Sequence, residues 1–265
     1  MDNLPENVKI ILNEYFKVFS NNLPNLIDSF YLTGSIVLDD YHEGKSDIDF
    51  VGVINRDMTS KDLVTLKKIH KEISSKYHKT ALDGSYVTLQ QIGKLDKNMG
   101  PVICFDGKKI RYDCRSGNAG IVTWFMLKNY GITLKGDIPD NYLSNINVND
   151  LISYVRLNAN SYWVNWVEKA SMNFSIKSMI TLLKPGVEWG VLGISRLYYT
   201  MHEGDIASKY QAGEYALKKV PTSFERIIKE ALRIRKGEDR KSYYRSPFRR
   251  RKDMLLFMRY MINQF

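Results

Sequence analysis

Two stretches, Phe30-Tyr31-Leu32-Thr33-Gly34-Ser35 and Ser46-Asp47-Ile48-Asp49-Phe50-Val51-Gly52-Val53-Ile54, decide how the N-terminal half folds. Phe30 to Leu32 and Phe50 to Ile54 read as short buried strands, rich in β-branched and aromatic residues. At their ends stand Gly34-Ser35 and, after eleven residues, Asp47-Ile48-Asp49. A Gly-Ser turn offers a phosphate a bare backbone and a hydroxyl, and carboxylates at i and i+2 on a strand point to one face. Asp49 runs directly into apolar residues, where its charge needs a cation, a hydrogen-bond network or a proton. Mg²⁺, usually bound by one or two carboxylates plus substrate phosphates, meets that need. Asp47 and Asp49 are therefore candidate metal ligands, and Gly34 and Ser35 candidate contacts for a nucleotide triphosphate. An Asp-x-Asp alone is common in surface turns; the Gly-Ser at this distance and the flanking strands give it weight.

Composition fits a globular protein, with 44% apolar and 26% charged residues in 265. Such a length allows one large domain or two ordinary ones. No apolar run approaches the roughly 20 residues of a membrane span. The start, Met1-Asp2-Asn3-Leu4-Pro5-Glu6, resembles no export leader. Cys104 and Cys114 have no zinc or redox spacing and read as reduced thiols of a cytoplasmic protein. The net charge of +10 is concentrated: residues 233 to 252 hold ten Lys or Arg against Glu238 and Asp239, or +8. Tyr243, Tyr244 and Phe248 interleave this run, which suits a nucleic-acid footprint, a solvated helix face or a positive rim that draws in a nucleotide.

Periodicity places helices at about residues 5 to 20, 60 to 77 (capped by Ser60) and 119 to 129. Ala81 to Leu89 is strand-like but interrupted by a turn-like Asp83-Gly84, and Asp106-Gly107 joins two strands, Val102 to Phe105 and Lys109 to Asp113, as a hairpin. From Asn149 onward nearly everything reads as helix: 151 to 170, 187 to 202, 208 to 219, 224 to 236 and 254 to 263. Gly136 to Asn141 is the apparent boundary, giving domains at 1–140 and 149–265. Tyr162, Trp163 and Trp166 read first as helix-helix core contacts, with stacking on an adenine or a drug ring as the alternative.

Ser208-Lys209-Tyr210-Gln211 has the form of a capping box. Lys209 then falls in the first turn, where the helix dipole opposes its charge and an anion would relieve the conflict. The alternative is a lysine that simply extends into water.

The segments Ile194-Ser195-Arg196-Leu197-Tyr198-Tyr199-Thr200, Gly204-Asp205-Ile206-Ala207-Ser208-Lys209 and Gly213-Glu214-Tyr215-Ala216-Leu217 resemble the C-terminal domain of the aminoglycoside adenylyltransferases acting on streptomycin and spectinomycin. The Gly34-Ser35 to Asp49 segment resembles the catalytic motif of the same family, within the wider nucleotidyltransferase superfamily. The resemblance implies an α+β protein: an N-terminal nucleotidyltransferase α/β domain with a mixed sheet, then a C-terminal α-helical bundle. It also implies ATP with Mg²⁺ and transfer of AMP to a drug hydroxyl, with Arg196 as a cleft arginine and Lys209 as the triphosphate lysine. The family's base is a glutamate on a strand; the match here is Asp83, one methylene shorter, with Asp113 as the competing carboxylate. A family aromatic near the nucleotide is replaced by Arg235 or a neighbour, and the tryptophan and aspartate of streptomycin recognition have no counterpart.

The resulting expectation is that Asp47 and Asp49 hold Mg²⁺ on ATP, Gly34 and Ser35 position the triphosphate, and Asp83 deprotonates an acceptor hydroxyl lying between the domains. Lys209 and Arg196 would stabilise the leaving pyrophosphate. Another acceptor (a protein side chain, an RNA end or another small alcohol), or a nucleic-acid-binding protein with a relic nucleotidyl site, are the alternatives.

Overall fold

The computed structural model describes residues 3–95, 100–107, 109–112, 118–137, 142–172, 175–238 and 241–265. Two compact units divide the chain, Met1–Asn147 and Val148–Phe265, in an α+β architecture.

In the first unit α1 (Glu6–Asn22) buries Val8, Ile11, Leu12, Tyr15 and Phe19 at helical spacing. The strands are β1 (Ile27–Thr33), β2 (Ile48–Ile54), β3 (Leu82–Thr88), β4 (Ile103–Asp106), β5 (Lys109–Tyr112) and β6 (Ile132–Lys135). They form one mixed sheet in the order β5-β4-β3-β2-β1-β6, in which β2 and β3 are parallel and the other pairings antiparallel. Between them lie α2 (Ser60–Lys76) and α3 (Ile121–Tyr130). Ile48, Phe50 and Ile54 join Tyr15, Phe30 and Tyr86 in one core; by the two-residue alternation of a strand, Asp49 stands on the opposite face.

Several expectations need correction here. The cap of α2 is Thr59, whose hydroxyl accepts from Asp62 N while the Asp62 carboxylate accepts from Thr59 N. Asp83-Gly84 is no turn: both lie inside β3, because a Cβ at Gly84 would meet Phe50 O at 2.2 Å and only glycine lets the strands and the Phe50 ring close up. The edge strand β6 escaped the sequence reading altogether. Cys104, buried on β4, is disulfide-bonded rather than a reduced thiol; Cys114 lies outside the described residues.

The second unit is helical. What reads as one helix from 151 to 170 is α4 (Val148–Asn158), a π-helical turn at Ala159–Trp163, and α5 (Val164–Ser171). There follow α6 (Ile176–Ile180), not anticipated, α7 (Lys184–Glu203), α8 (Lys209–Lys219), α9 (Glu225–Lys236) and α10 (Pro247–Ile262), which begins seven residues earlier than periodicity suggests. Val187, Val191 and Ile194 of α7 share a core with Ile227 and Ala231 of α9 and with Met254 and Met258 of α10. Trp163 and Trp166 belong to it, their rings 4.7 and 5.1 Å from that of Trp189, while Tyr162 is exposed. Among the described residues no helix is long and apolar enough to cross a membrane.

Candidate active site

Gly34, in the turn that follows β1, has φ +71°, a conformation glycine adopts without strain. A Cβ there would meet Asp49 Oδ2 at 1.8 Å, so the bare backbone lets the carboxylate lie directly on the turn. Gly34 N donates to the Met126 thioether of α3 at 2.9 Å, a weak acceptor that a phosphate oxygen outcompetes. The hydroxyl of Ser35 is buried with no hydrogen-bond partner among the described residues. A buried hydroxyl left so costs about 1–3 kcal/mol, and a phosphate oxygen would satisfy it.

Asp49 of β2 and Asp83 of β3 are partners in the parallel register and therefore point to the same face. Asp47, just before β2, is exposed but near enough to Asp83 to act on its charge. Burial is the main cause that raises the Asp83 carboxyl to about 6; Gly107 N, donating to Asp83 Oδ1, opposes this, and Asp47 and Asp106 reinforce it. A carboxylate tuned upward within reach of two others has the character of a general base. Asp113, the competing carboxylate, lies outside the described residues. No group of three acidic, His or Cys side chains that could cage a metal occurs among the described residues. Two carboxylates beside a bare Gly-Ser turn fit Mg²⁺ completed by substrate phosphates instead.

In the second unit, Ser208 caps α8 and the box is complete: Ser208 Oγ accepts from Gln211 N, and Gln211 Oε1 from Ser208 N. Lys209, next in the chain, does not simply extend into water, since its Nζ lies 3.6 Å from Glu188 Oε1. Arg235 Nη1 lies 3.5 Å from the same oxygen. Burial, first of all, lowers the Lys209 ammonium from its usual range; Glu188 raises it, and Arg235 and Arg196 lower it further. Arg196 Nε donates to Ala207 O. Sequence reasoning missed Glu188, although it stands eight residues before Arg196, close to the same stripe of α7.

The basic run from 233 is not one surface. Arg233, Arg235 and Arg250 are buried. Arg233 and Arg250 both reach Glu230, which is fully buried and also accepts from Ser242 Oγ and Tyr243 N. Arg251 donates to Thr181 Oγ1 and Ala170 O. Arg240 lies outside the described residues.

Comparison with family models matches residues 12–96 to the nucleotidyltransferase domain and residues 164–263 to the C-terminal domain of aminoglycoside adenylyltransferase. A search of the curated proteins finds no significant match. Among solved structures, the fold is similar to that of the spectinomycin adenyltransferase AAD(9) from Enterococcus faecialis, crystallised with ATP and spectinomycin. The TM-score is 0.68 at 15% identity, covering 97% of this chain and 98% of that one. Residues 12–96, in the first unit, thus form a nucleotidyltransferase domain, and residues 164–263, in the second, an aminoglycoside adenylyltransferase C-terminal domain.

Proposed function

We propose that this protein transfers AMP from ATP to a hydroxyl of an aminoglycoside or aminocyclitol antibiotic of the spectinomycin or streptomycin type, and so confers resistance. The observation that carries the reading is the side-by-side placement of Asp49 and Asp83, with Asp49 packed on the bare backbone of Gly34. Asp83 takes the proton of the acceptor hydroxyl as its oxygen bonds to the α-phosphorus and the bond to the β-phosphate breaks, releasing pyrophosphate. Mg²⁺ held by Asp47 and Asp49 would neutralise phosphate charge. Gly34 and Ser35 orient the triphosphate, and Lys209 and Arg196 take up charge on the leaving pyrophosphate. A small-molecule acceptor is favoured over nucleic acid because Arg233 and Arg250 of the basic run are committed to the buried Glu230. A cytoplasmic location, where ATP and Mg²⁺ are supplied, goes with this reading.

The test is pyrophosphate release from ATP and Mg²⁺ with spectinomycin, streptomycin and related aminocyclitols, each against RNA as acceptor. Release with a drug, and an AMP-drug adduct by mass spectrometry, is the expected result. Release with RNA and with no drug would overturn the acceptor, and no release under any condition would overturn the activity.

A further inference from the structure

Glu188 projects from the second turn of α7 into a cluster of cations drawn from three helices. Its Oε1 stands 3.6 Å from Lys209 Nζ of α8 and 3.5 Å from Arg235 Nη1 of α9. Arg196, two turns along α7, acts on Lys209 as well. The Arg235 side chain is 4% exposed and that of Glu188 14%, so these charges meet in surroundings that screen them weakly. The carboxylate bridges two cations: Arg235 Nη1 donates to its Oε1, and Lys209 Nζ lies 3.6 Å from the same oxygen.

We propose that Glu188 is a positioning residue for the triphosphate: by bridging Lys209 and Arg235 it holds both aimed at one place, so that a polyphosphate meets a preformed site. This rests on the ATP reading above. The physical reason is that burial and two neighbouring guanidinium groups all push Lys209 toward its neutral form, and Glu188 opposes them. A neutral lysine gives a phosphate no charge. The groups facing Lys209 are Glu188 and Arg196 on α7 and Arg235 on α9. Without Glu188, Lys209 is therefore the group whose charge is lost as pH rises.

The test measures MgATP and AMP affinity by calorimetry from about pH 7 to 9 for the wild type, Glu188→Gln, Glu188→Asp and Lys209→Ala. In Glu188→Gln, ATP should bind more weakly than to wild type, and the deficit should widen with pH by up to about tenfold per unit. Glu188→Asp should restore most of the affinity, and AMP, with one phosphate, should change little. A deficit that stays constant with pH, or ATP binding as tight as in wild type, would overturn the role. Should Glu188→Gln fail to fold, the wild type alone decides. Calorimetry in two buffers near pH 8 should show almost no proton uptake on ATP binding, whereas uptake of about one proton per ATP would mean that Glu188 does not hold Lys209 charged. If wild type binds no ATP, the nucleotidyl reading and this role fall together. If wild type binds ATP and Lys209→Ala does not, while Glu188→Gln tracks wild type across the pH range, only the role of Glu188 falls.

Discussion

Asp49 and Asp83 are neighbours across the parallel pairing of β2 and β3, and the register that joins them runs unbroken from Ile48 and Leu82 to Ile54 and Thr88. Seven consecutive pairs hold the two carboxylates side by side, so their spacing is a property of the sheet rather than of a loop. Elements this rigid can hold reacting groups to the tolerance that catalysis demands.

Asp47→Asn and Asp49→Asn each remove a carboxylate charge and almost no volume. Turnover should fall by more than about tenfold in both, as expected when a metal ligand is lost, while the melting temperature stays within a few degrees. If both variants keep a larger share of wild-type turnover in steady-state assays, these residues are not the metal ligands.

Asp83→Asn should lower the rate by about 10² to 10⁴ while MgATP binds nearly as in wild type. Asp83→Glu should retain part of the activity, because the longer side chain reaches the same face of β3. Single-turnover kinetics with nucleotide binding measured alongside separates the two effects; a variant that loses ATP binding instead of rate would assign Asp83 to the nucleotide.

Glu230 lies between Arg233 and Arg250, within ion-pair distance of both. Burial would raise its carboxyl, but Arg233, Ser242 and Tyr243 N outweigh it and hold the group down at about 2. Glu230→Ala leaves two buried guanidinium groups without it and should cost about 3–5 kcal/mol, read from the denaturant midpoint of unfolding. A loss under about 1 kcal/mol, the scale of an exposed ion pair, would show that solvent replaces the carboxylate.

His70 stacks on Phe105 at 3.6 Å and its Nε2 meets Tyr86 O–H at 2.7 Å, Tyr86 in turn meeting Tyr15 O–H at 2.5 Å. Burial lowers the imidazole to about 3 from 6.5, so on acidification the unfolded chain takes the proton first. The contribution is complete above pH 6.5 and is lost as pH falls toward 3. His70→Phe should flatten the fall of unfolding free energy over that range by up to about 1.4 kcal/mol per pH unit. An unchanged slope in urea titrations would mean that His70 is protonated in the folded protein.

What sequence alone determined was local in origin. The Ser208 and Gln211 capping box, the apolar stripe of α1 and the strand on either side of Asp-x-Asp each depend on residues within a turn or two. The tertiary structure decided whatever depends on distant partners. Asp83-Gly84 has the composition of a turn and becomes strand because Phe50 needs the space a Cβ would fill. Four-residue β6 has too little pattern of its own and exists by pairing with β1, about a hundred residues earlier. The arginines of the basic run look like surface until Glu230 and Glu188 are placed beside them, since a buried charge is stable only with a partner and that partner can come from anywhere in the chain.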